Sequence, residues 1–486
     1  MIEHTELASD LKISRVLTGL WQIADLERSG AALDPAKTAR FMAPYVEAGF
    51  TTFDMADHYG SAEVIAGWFK NHEPLGPGTQ LLTKWVPKPG PASEQEVRDA
   101  VQRSLDRLQS DRIDLLQYHA WNYADPAWLD HLFWLQELKE EGLIGHLGLT
   151  NFDAAHLGVA SASGIEVLTN QVSYSLLDQR AAGSMTQVCE QHGIKILAYG
   201  TVAGGFLTEK WLGQNEPDPA RLTTWSEMKY KRFIDAAGGW SRFQILLQAL
   251  SRVAGKLGVS MATVSSRYML DQPAVGGIIL GARLGHGDHV EENLAIFDIA
   301  LDPDDRAEIQ RAVSQLDVIP GGCGDEYRKP PFLTAAGDLS DHLDTLPPVY
   351  PVLEESSGKS RVSSGTVWED MAGYCRAVRS GQRILVSGTT AAHGARLIGG
   401  SDPVAQTHFV IDKIQAAIES LGGRLEDVDR TRIFVSDINH WEPVARVHGE
   451  RFGHIRPVNT LVQAKLVGKE YLLEMEVEAR VATRPH

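Results

Sequence analysis

The sequence predicts an α/β protein whose larger part is a (β/α)8 TIM barrel, followed by a smaller α+β domain. Three observations predict it. Between residue 15 and about residue 300, eight short β-rich runs alternate with amphipathic stretches, the mark of a parallel sheet with crossover helices. Each run ends near Gly, Asn, Thr or His, where a strand gives way to a loop. From about residue 366 the order changes to strands grouped with two helices, as in a compact α+β module. For the first part, an open doubly wound sheet is the structural alternative.

The strand candidates run RVLTGLW (15–21), GFTTFDMA (49–56), QLLTKWV (80–86), IDLLQYHA (113–120), IGHLGLTN (144–151), VLTNQVSY (167–174), IKILAYG (194–200) and GGIILGA (276–282). DAVQRSLDRL (99–108) and LDHLFWLQELKEEG (129–142) space apolar residues by three and four, as helices do, and the second stops at Gly142. IPGGCGDEYRKPPFLTAAGDLSDHL is turn-rich, and PPVYPVLEESSGKSRVSSG reads as a Pro/Ser/Gly linker. After it come strands RILVSGTTA (383–391), RTRIFVSDI (430–438), NTLVQAKLV (459–467) and LLEMEVEARVA (472–482), with helices at 404–422 and 442–453. The expected division is a barrel over 1–320, a loop and linker over 321–365, and the smaller domain over 366–486.

Composition narrows the partners. The 486 residues carry a formal charge of −17 and no long basic run, which argues against nucleic acid or an anionic membrane. Cys189, Cys323 and Cys375 are odd in number, far apart and lack metal spacing, so neither a disulfide framework nor a metal site is expected. The polar start MIEHTELASDLK and the lack of an 18-residue apolar run lead to the expectation of a cytoplasmic protein.

In a barrel of this type, reactive groups stand at the C-terminal ends of the strands. Those positions hold Asp54, Lys84, His119, Thr150, Asn151, Gln171 and Tyr199, with Tyr59 in the loop after Asp54. A phenol donates a proton near neutral pH only if its pKa falls, and a neighbouring Lys⁺ lowers it by favouring phenolate. A carboxylate behind the lysine holds it in place, and a histidine across the barrel can orient a carbonyl oxygen. Asp54, Tyr59, Lys84 and His119 together suit protonation of a carbonyl as hydride reaches its carbon. No side chain supplies hydride, so a cofactor must.

FDMADHYGSAE, LLTKW and IDLLQYH, in this order and spacing, resemble the catalytic elements of the aldo-keto reductases over residues 7 to 315. The resemblance implies an NAD(P)(H)-dependent, alcohol dehydrogenase-type oxidoreductase acting on aldehydes or ketones, with Tyr59 as general acid. It also implies cofactor contacts at Gly19, Trp21, Thr150, Asn151, Gln171 and Tyr199. At the adenosine end, LGARLG and EEN supply Gly281, Arg283, Glu292 and Asn293, with His289 where many relatives carry arginine. NADP(H) is the family default; Asp288 beside His289 keeps NAD(H) open. Trp21, Trp85 and Trp121 would wall the substrate pocket. The loop after the last barrel helix would bring Asp325, Tyr327 and Arg328 to substrate.

GYCRAVRSGQRILVSGTTA, RTRIFVSDINHW, ERFGHIRPVNTLVQ and LEMEVEARV resemble the RidA/YjgF family, small chorismate-mutase-like α+β trimers, some of which hydrolyse imines or enamines between subunits. Transfer by position gives a pocket of Tyr374, Ser387, Lys465 and a strand carboxylate, Glu474 or Glu476, with lysine or leucine where that family grips a carboxylate with arginine. Three readings of the whole chain follow: a carbonyl oxidoreductase made a homotrimer by its C-terminal domain, a bifunctional protein that also hydrolyses imines or enamines, and a non-catalytic nicotinamide-binding subunit.

Overall fold

A computed structural model describes residues 2–28, 30, 32–287, 289–334, 346–354 and 358–481. Asp288 and the linker residues 335–345 and 355–357 lie outside it. The chain begins with an antiparallel hairpin, β1 (His4–Ala8) and β2 (Leu11–Ser14). Eight parallel strands then close a barrel: β3 (Val16–Gly19), β4 (Thr52–Asp54), β5 (Gln80–Trp85), β6 (Ile113–His119), β7 (Ile144–Thr150), β8 (Val167–Ser173), β9 (Lys195–Tyr199) and β10 (Val275–Gly281). Each pairs with its sequence neighbours, and β10 returns to β3. The predicted runs and the observed strands agree, and the barrel is closed rather than open. The opening hairpin is missing from the sequence-based expectation, because its polar alternation reads as a loose start.

Side-chain alternation decides what enters the barrel. Leu17, Leu82, Leu115, Leu197 and Ile279 form an inner cluster, with Leu11 and Ile13 of the hairpin packed into it. Their strand neighbours Val16, Leu81, Leu116 and Ile278 belong instead to the outer core beneath the helices. The inward parity continues to the strand ends as Gly19, Asp54, Lys84, His119, Thr150, Gln171, Tyr199 and Gly281.

The C-terminal part is a seven-stranded sheet in the order β11 (Val352–Glu354), β12 (Lys359–Val362), β13 (Ala377–Ser380), β14 (Arg383–Thr389), β19 (Leu473–Arg480), β17 (Val428–Val435) and β18 (Val458–Gln463). A small hairpin, β15 (Ala392–His393) and β16 (Arg396–Leu397), follows β14. All neighbours in the large sheet are antiparallel except β17 and β18, which the helix Trp441–Phe452 connects. The stretch expected to be linker supplies β11 and β12: Val352 and Leu353 pair with Val362 and Arg361. Short edge strands rich in Ser, Lys and Gly carry little periodic signal, so the sequence pattern hid them.

The helix Pro403–Ser420 is buried on both sides. Fourteen of its eighteen residues are buried, more than the single apolar stripe of a surface helix accounts for. It lies between its own sheet and the barrel helix Ala154–Ala162. A second junction joins the β15–β16 hairpin to the barrel helix Ala127–Glu140: His393 meets Asp130 at 2.9 Å, and the Arg396 guanidinium lies 4.2 Å from the Phe133 ring centroid. No helix among the described residues is long and apolar enough to cross a membrane.

Candidate active site

At the C-terminal ends of the barrel strands an elongated cleft of about 410 Å³ opens. Asp54, Tyr59, Lys84 and His119 all line it, as do all eleven residues expected to touch a cofactor: Gly19, Trp21, Thr150, Asn151, Gln171, Tyr199, Gly281, Arg283, His289, Glu292 and Asn293. One parity selects the residues from the eight strands, and the loops and helices that follow at the same barrel end supply the rest.

The centre is a buried ion pair. Lys84 Nζ donates to Asp54 Oδ2 and to the Met55 carbonyl, both at 2.7 Å. The same ammonium lies 4.9 Å from the centroid of the Tyr59 ring. Burial pulls the Lys84 pKa below the ordinary lysine value, and the Asp54 charge opposes that pull. The other Asp54 oxygen accepts from Gln171 Nε2 at 2.7 Å and from Gln117 Nε2 at 3.2 Å. Asp54 is thereby held from the side away from Lys84. Gln117 escaped the sequence-based list, although it stands two residues before His119 and so shares its inward face; alternation along IDLLQYH was the available signal.

His119 is buried, and its Nε2 has no hydrogen-bond partner. Burial, helped by the nearby Arg328 charge, holds its pKa well below the usual histidine value, so the ring is neutral. Nδ1 lies 3.4 Å from the Thr150 carbonyl, a long contact that only an Nδ1–H can make. Giving it up frees the tautomer with Nε2–H toward the cleft. The Trp121 ring packs edge-on against His119 at 4.4 Å, and Trp121 Nε1 is tied to the Pro87 carbonyl at 2.7 Å. Trp21 packs edge-on against Tyr59 at 4.8 Å, and the Trp225 ring lies tilted against it at 5.6 Å. His58 also lines the cleft, its ring 4.8 Å from that of Tyr59.

Trp85 does not belong to this wall. It follows inward-facing Lys84 on β5, so alternation turns it outward, where it packs on Tyr118 and His131 at 5.6 and 5.3 Å. The C-terminal loop divides similarly. Tyr327 lines the cleft with its ring 5.6 Å from that of His119, whereas Arg328 binds backbone, donating to the carbonyls of Asn151, Cys323 and Ala120 at 2.7, 3.0 and 3.1 Å. Asp325 turns back on the loop, its carboxylate accepting from Gly322 N–H at 2.9 Å. The close approach needs Gly324: an added Cβ would sit 1.9 Å from the Asn151 carbonyl oxygen, and φ there is +80°. Lys229, from the helix Trp225–Ala236, donates to Tyr327 Oη at 2.6 Å and lies 5.0 Å from the Tyr199 ring centroid. Nothing in WSEMKYKRF marks which lysine turns inward, so only the tertiary structure singles out Lys229.

The arrangement suits a nicotinamide dinucleotide chemically. Both Gln171 Nε2 hydrogens are engaged, on Asp54 and on Gln117 Oε1 at 2.9 Å, which leaves its carbonyl oxygen to accept from a carboxamide N–H. Asn151 takes the left-handed conformation, φ +60°, and its Oδ1 accepts from Tyr199 Oη at 2.8 Å. At the far end Arg283 pairs with Asp25 at 3.1 Å and His289 with Glu292 at 3.2 Å. Among the described residues this end therefore pairs an arginine with one carboxylate and a histidine with another.

In the second domain Tyr374, Ser387 and Glu474 lie near one sheet end, around Arg376. Arg376 NH2 lies 3.4 Å from Tyr374 Oη, Ser387 Oγ donates to the Cys375 carbonyl at 2.8 Å, and Glu474 lies against Gly388. Arg376 is itself engaged, with Glu369 at 3.1 Å and the Gly388 carbonyl at 2.7 Å. Lys465 is exposed in the loop after β18, two strands away from Glu474, so within one chain it does not join the other three.

Residues 15–314 match the model of the aldo/keto reductase family, and residues 367–481 match that of the family described as endoribonuclease L-PSP. Protein tas of Escherichia coli is 30% identical over 247 residues, which are 46% of this chain and 68% of that protein. The solved structure of a glycerol dehydrogenase from Gluconobacter oxydans, 21% identical, covers 66% of this chain and 97% of its own, with a TM-score of 0.54, and shares the barrel fold. A Mycobacterium tuberculosis member of the YjgF/YER057c/UK114 family is 41% identical, covering 25% of this chain and 99% of its own at a TM-score of 0.24.

Proposed function

Since the chain belongs to the aldo/keto reductase family of oxidoreductases through residues 15–314, with a RidA/YjgF-type domain behind it, we propose that the barrel is an NAD(P)(H)-dependent carbonyl reductase. The observation that carries this reading is the buried Lys84–Asp54 pair beneath the Tyr59 ring, facing a neutral His119 whose Nε2 is unpartnered. When bound, the reduced nicotinamide supplies the hydride for the carbonyl carbon. Thr150, Asn151 and the Gln171 carbonyl would hold its carboxamide, Tyr199 would offer its ring, and Arg283, His289, Glu292 and Asn293 would hold the adenosine end.

The chain's own groups handle the proton. His119 Nε2–H and the Tyr59 hydroxyl converge on the carbonyl oxygen and polarise it. Tyr59 releases its proton to that oxygen as the carbon gains hydride, and alcohol results. Lys84 favours the phenolate left behind, and Asp54 keeps Lys84 charged and in place. Trp21, Trp121 and Trp225 keep water from the reacting carbon. The preferred cofactor is NADP(H), with Arg283 exchanging Asp25 for a 2′-phosphate; NAD(H) needs no such exchange. The C-terminal domain makes the protein a homotrimer. Its sheet face away from the helices exposes Leu385, Val458 and Val462 around the Arg430–Glu478 and Arg432–Glu476 ion pairs, a mixed apolar and charged face that a second copy would cover. A lysine or leucine where that family places an arginine, and an Arg376 already engaged by Glu369, favour this role over imine hydrolysis.

Tyr59→Phe tests the proposal. It should lower kcat for NADPH-linked aldehyde reduction by about 10²–10⁴-fold while cofactor affinity stays unchanged. Turnover at the wild-type rate refutes the assignment.

A further inference from the structure

The junction between the two domains holds a buried charge cluster that the chemistry above does not use. His156, on the barrel helix Ala154–Ala162, points one ring nitrogen at each domain. Nδ1 is 2.7 Å from Oδ1 of Asp153, the helix N-cap, and Nε2 is 2.9 Å from Oδ2 of Asp412 on the helix Pro403–Ser420. A carboxylate can only accept, so both nitrogens donate and the ring is an imidazolium. Asp412 Oδ1 accepts from Arg451 at 2.7 Å, which balances the second carboxylate. His408, whose ring is 6.2 Å away, is held down to about pKa 4 by burial and stays neutral; its Nε2 stands 3.9 Å from Glu450.

The cluster abuts the reductase cleft from behind. The His156 ring is stacked on Tyr123, centroids 3.6 Å apart and planes 6° from parallel. Tyr123 stands four residues after His119, and its hydroxyl oxygen accepts from the Asp153 N–H at 3.2 Å. The Arg328 guanidinium lies 4.4 Å from the same ring centroid. Arg328 follows Tyr327 and is bonded to the backbone of Ala120 and Asn151, so it ties the C-terminal loop to the ends of β6 and β7.

We propose that Asp412, a residue of the second domain, is a positioning residue for the reductase site, acting through His156, Tyr123 and Arg328. The proposal rests on the carbonyl reductase reading. Asp412 fixes the imidazolium, the imidazolium fixes the Tyr123 ring, and that ring is the platform for the guanidinium that clamps the carbonyls of Ala120, Cys323 and the cleft residue Asn151. Domain docking thereby becomes part of the active site's construction, with each link a packed or ionic contact rather than a distance in sequence.

The test uses the whole 486-residue chain, with both domains. Asp412→Asn should lower kcat/KM for a test aldehyde about tenfold, a typical size for coupling between sites. Asp412→Glu, which keeps the charge, should recover most of the loss. His393→Asn, which breaks the other interdomain contact to Asp130, should leave kcat/KM unchanged. Combining Asp412→Asn with Arg328→Lys should be no worse than Arg328→Lys alone. Wild-type kcat/KM in Asp412→Asn overturns the proposal, and so do equal losses in Asp412→Asn and His393→Asn, which would mean that docking stability alone matters. If Asp412→Asn does not fold, Arg451→Lys loosens Asp412 without uncovering His156 and is read by the same criteria. Tyr59→Phe keeps the two claims apart: a wild-type protein without Tyr59-dependent turnover sinks the reductase reading, whereas normal turnover with an insensitive Asp412 sinks only this one.

Discussion

Replacing Asp54 by asparagine removes one charge from a buried ion pair and leaves the other in place. The Lys84 and Asp54 charges are 2.7 Å apart, and both side chains are almost fully shielded from solvent. At an effective dielectric of 20 their attraction is about 6 kcal/mol. Breaking such a buried pair from one side typically costs about 3–5 kcal/mol. Burial already lowers the Lys84 pKa, and the Asp54 charge is the main effect opposing it, so its loss lowers that pKa further. The amide would also turn an N–H toward the ammonium if it kept its bonds from Gln171 and Gln117. In D54N, Lys84 therefore holds its proton less tightly, and Tyr59 loses part of the cationic field that favours its phenolate. The assay is kcat for NADPH-linked aldehyde reduction as a function of pH, with cofactor affinity read by fluorescence quenching. The expected result is a loss of about a hundredfold in kcat, with the alkaline limb of the profile moved to lower pH and cofactor affinity little changed. A variant that keeps most of the wild-type kcat with an unmoved profile refutes the role of the pair.

Asp25→Asn releases Arg283, which is half exposed, so NADPH affinity should rise about threefold to fivefold while NADH affinity stays level; titration with each cofactor decides this. Tyr327→Phe removes the acceptor of the Lys229 hydrogen bond beside His119 and should raise the carbonyl KM about tenfold with little change in kcat, as steady-state kinetics would reveal. His156 is raised by Asp153 and Asp412 against the opposing effect of burial. Its stabilisation is complete below the unfolded histidine pKa of about 6.5 and is lost as pH rises through the folded value, so the melting temperature should fall on the alkaline side. His156→Gln should flatten that decline; an identical alkaline limb in both proteins would show that His156 does not cause it.

Much of the site was legible because a (β/α)8 barrel turns local patterns into global position. Asp54, Lys84, His119, Thr150 and Gln171 each end an inward-facing parity, and closing the sheet brings those ends together whatever the helices between them do. Where only local signals were weighed, the reading failed. Trp85 lies beside Lys84 in sequence, but alternation sends it to the outer core. Val352 and Lys359 lie in a Pro/Ser/Gly stretch whose strands exist because β13 offers an edge to pair with. Lys465 aligned with a pocket by position but stands two strands away within the chain.

The sequence by itself determined the barrel, the composite two-domain build and which four side chains gather at one barrel end, because alternation, strand-end chemistry and spacing are properties of short segments. Only the tertiary structure decided which side chains answer one another across long separations. Gln171 holds Asp54 across 117 residues, Lys229 reaches Tyr327 across 98, and His156 meets Asp412 across 256. Such pairs leave no periodic trace in the chain. Their partners are chosen by how the helices and sheets pack, and buried charges are tolerated only where that packing brings their counter-charges within hydrogen-bonding distance.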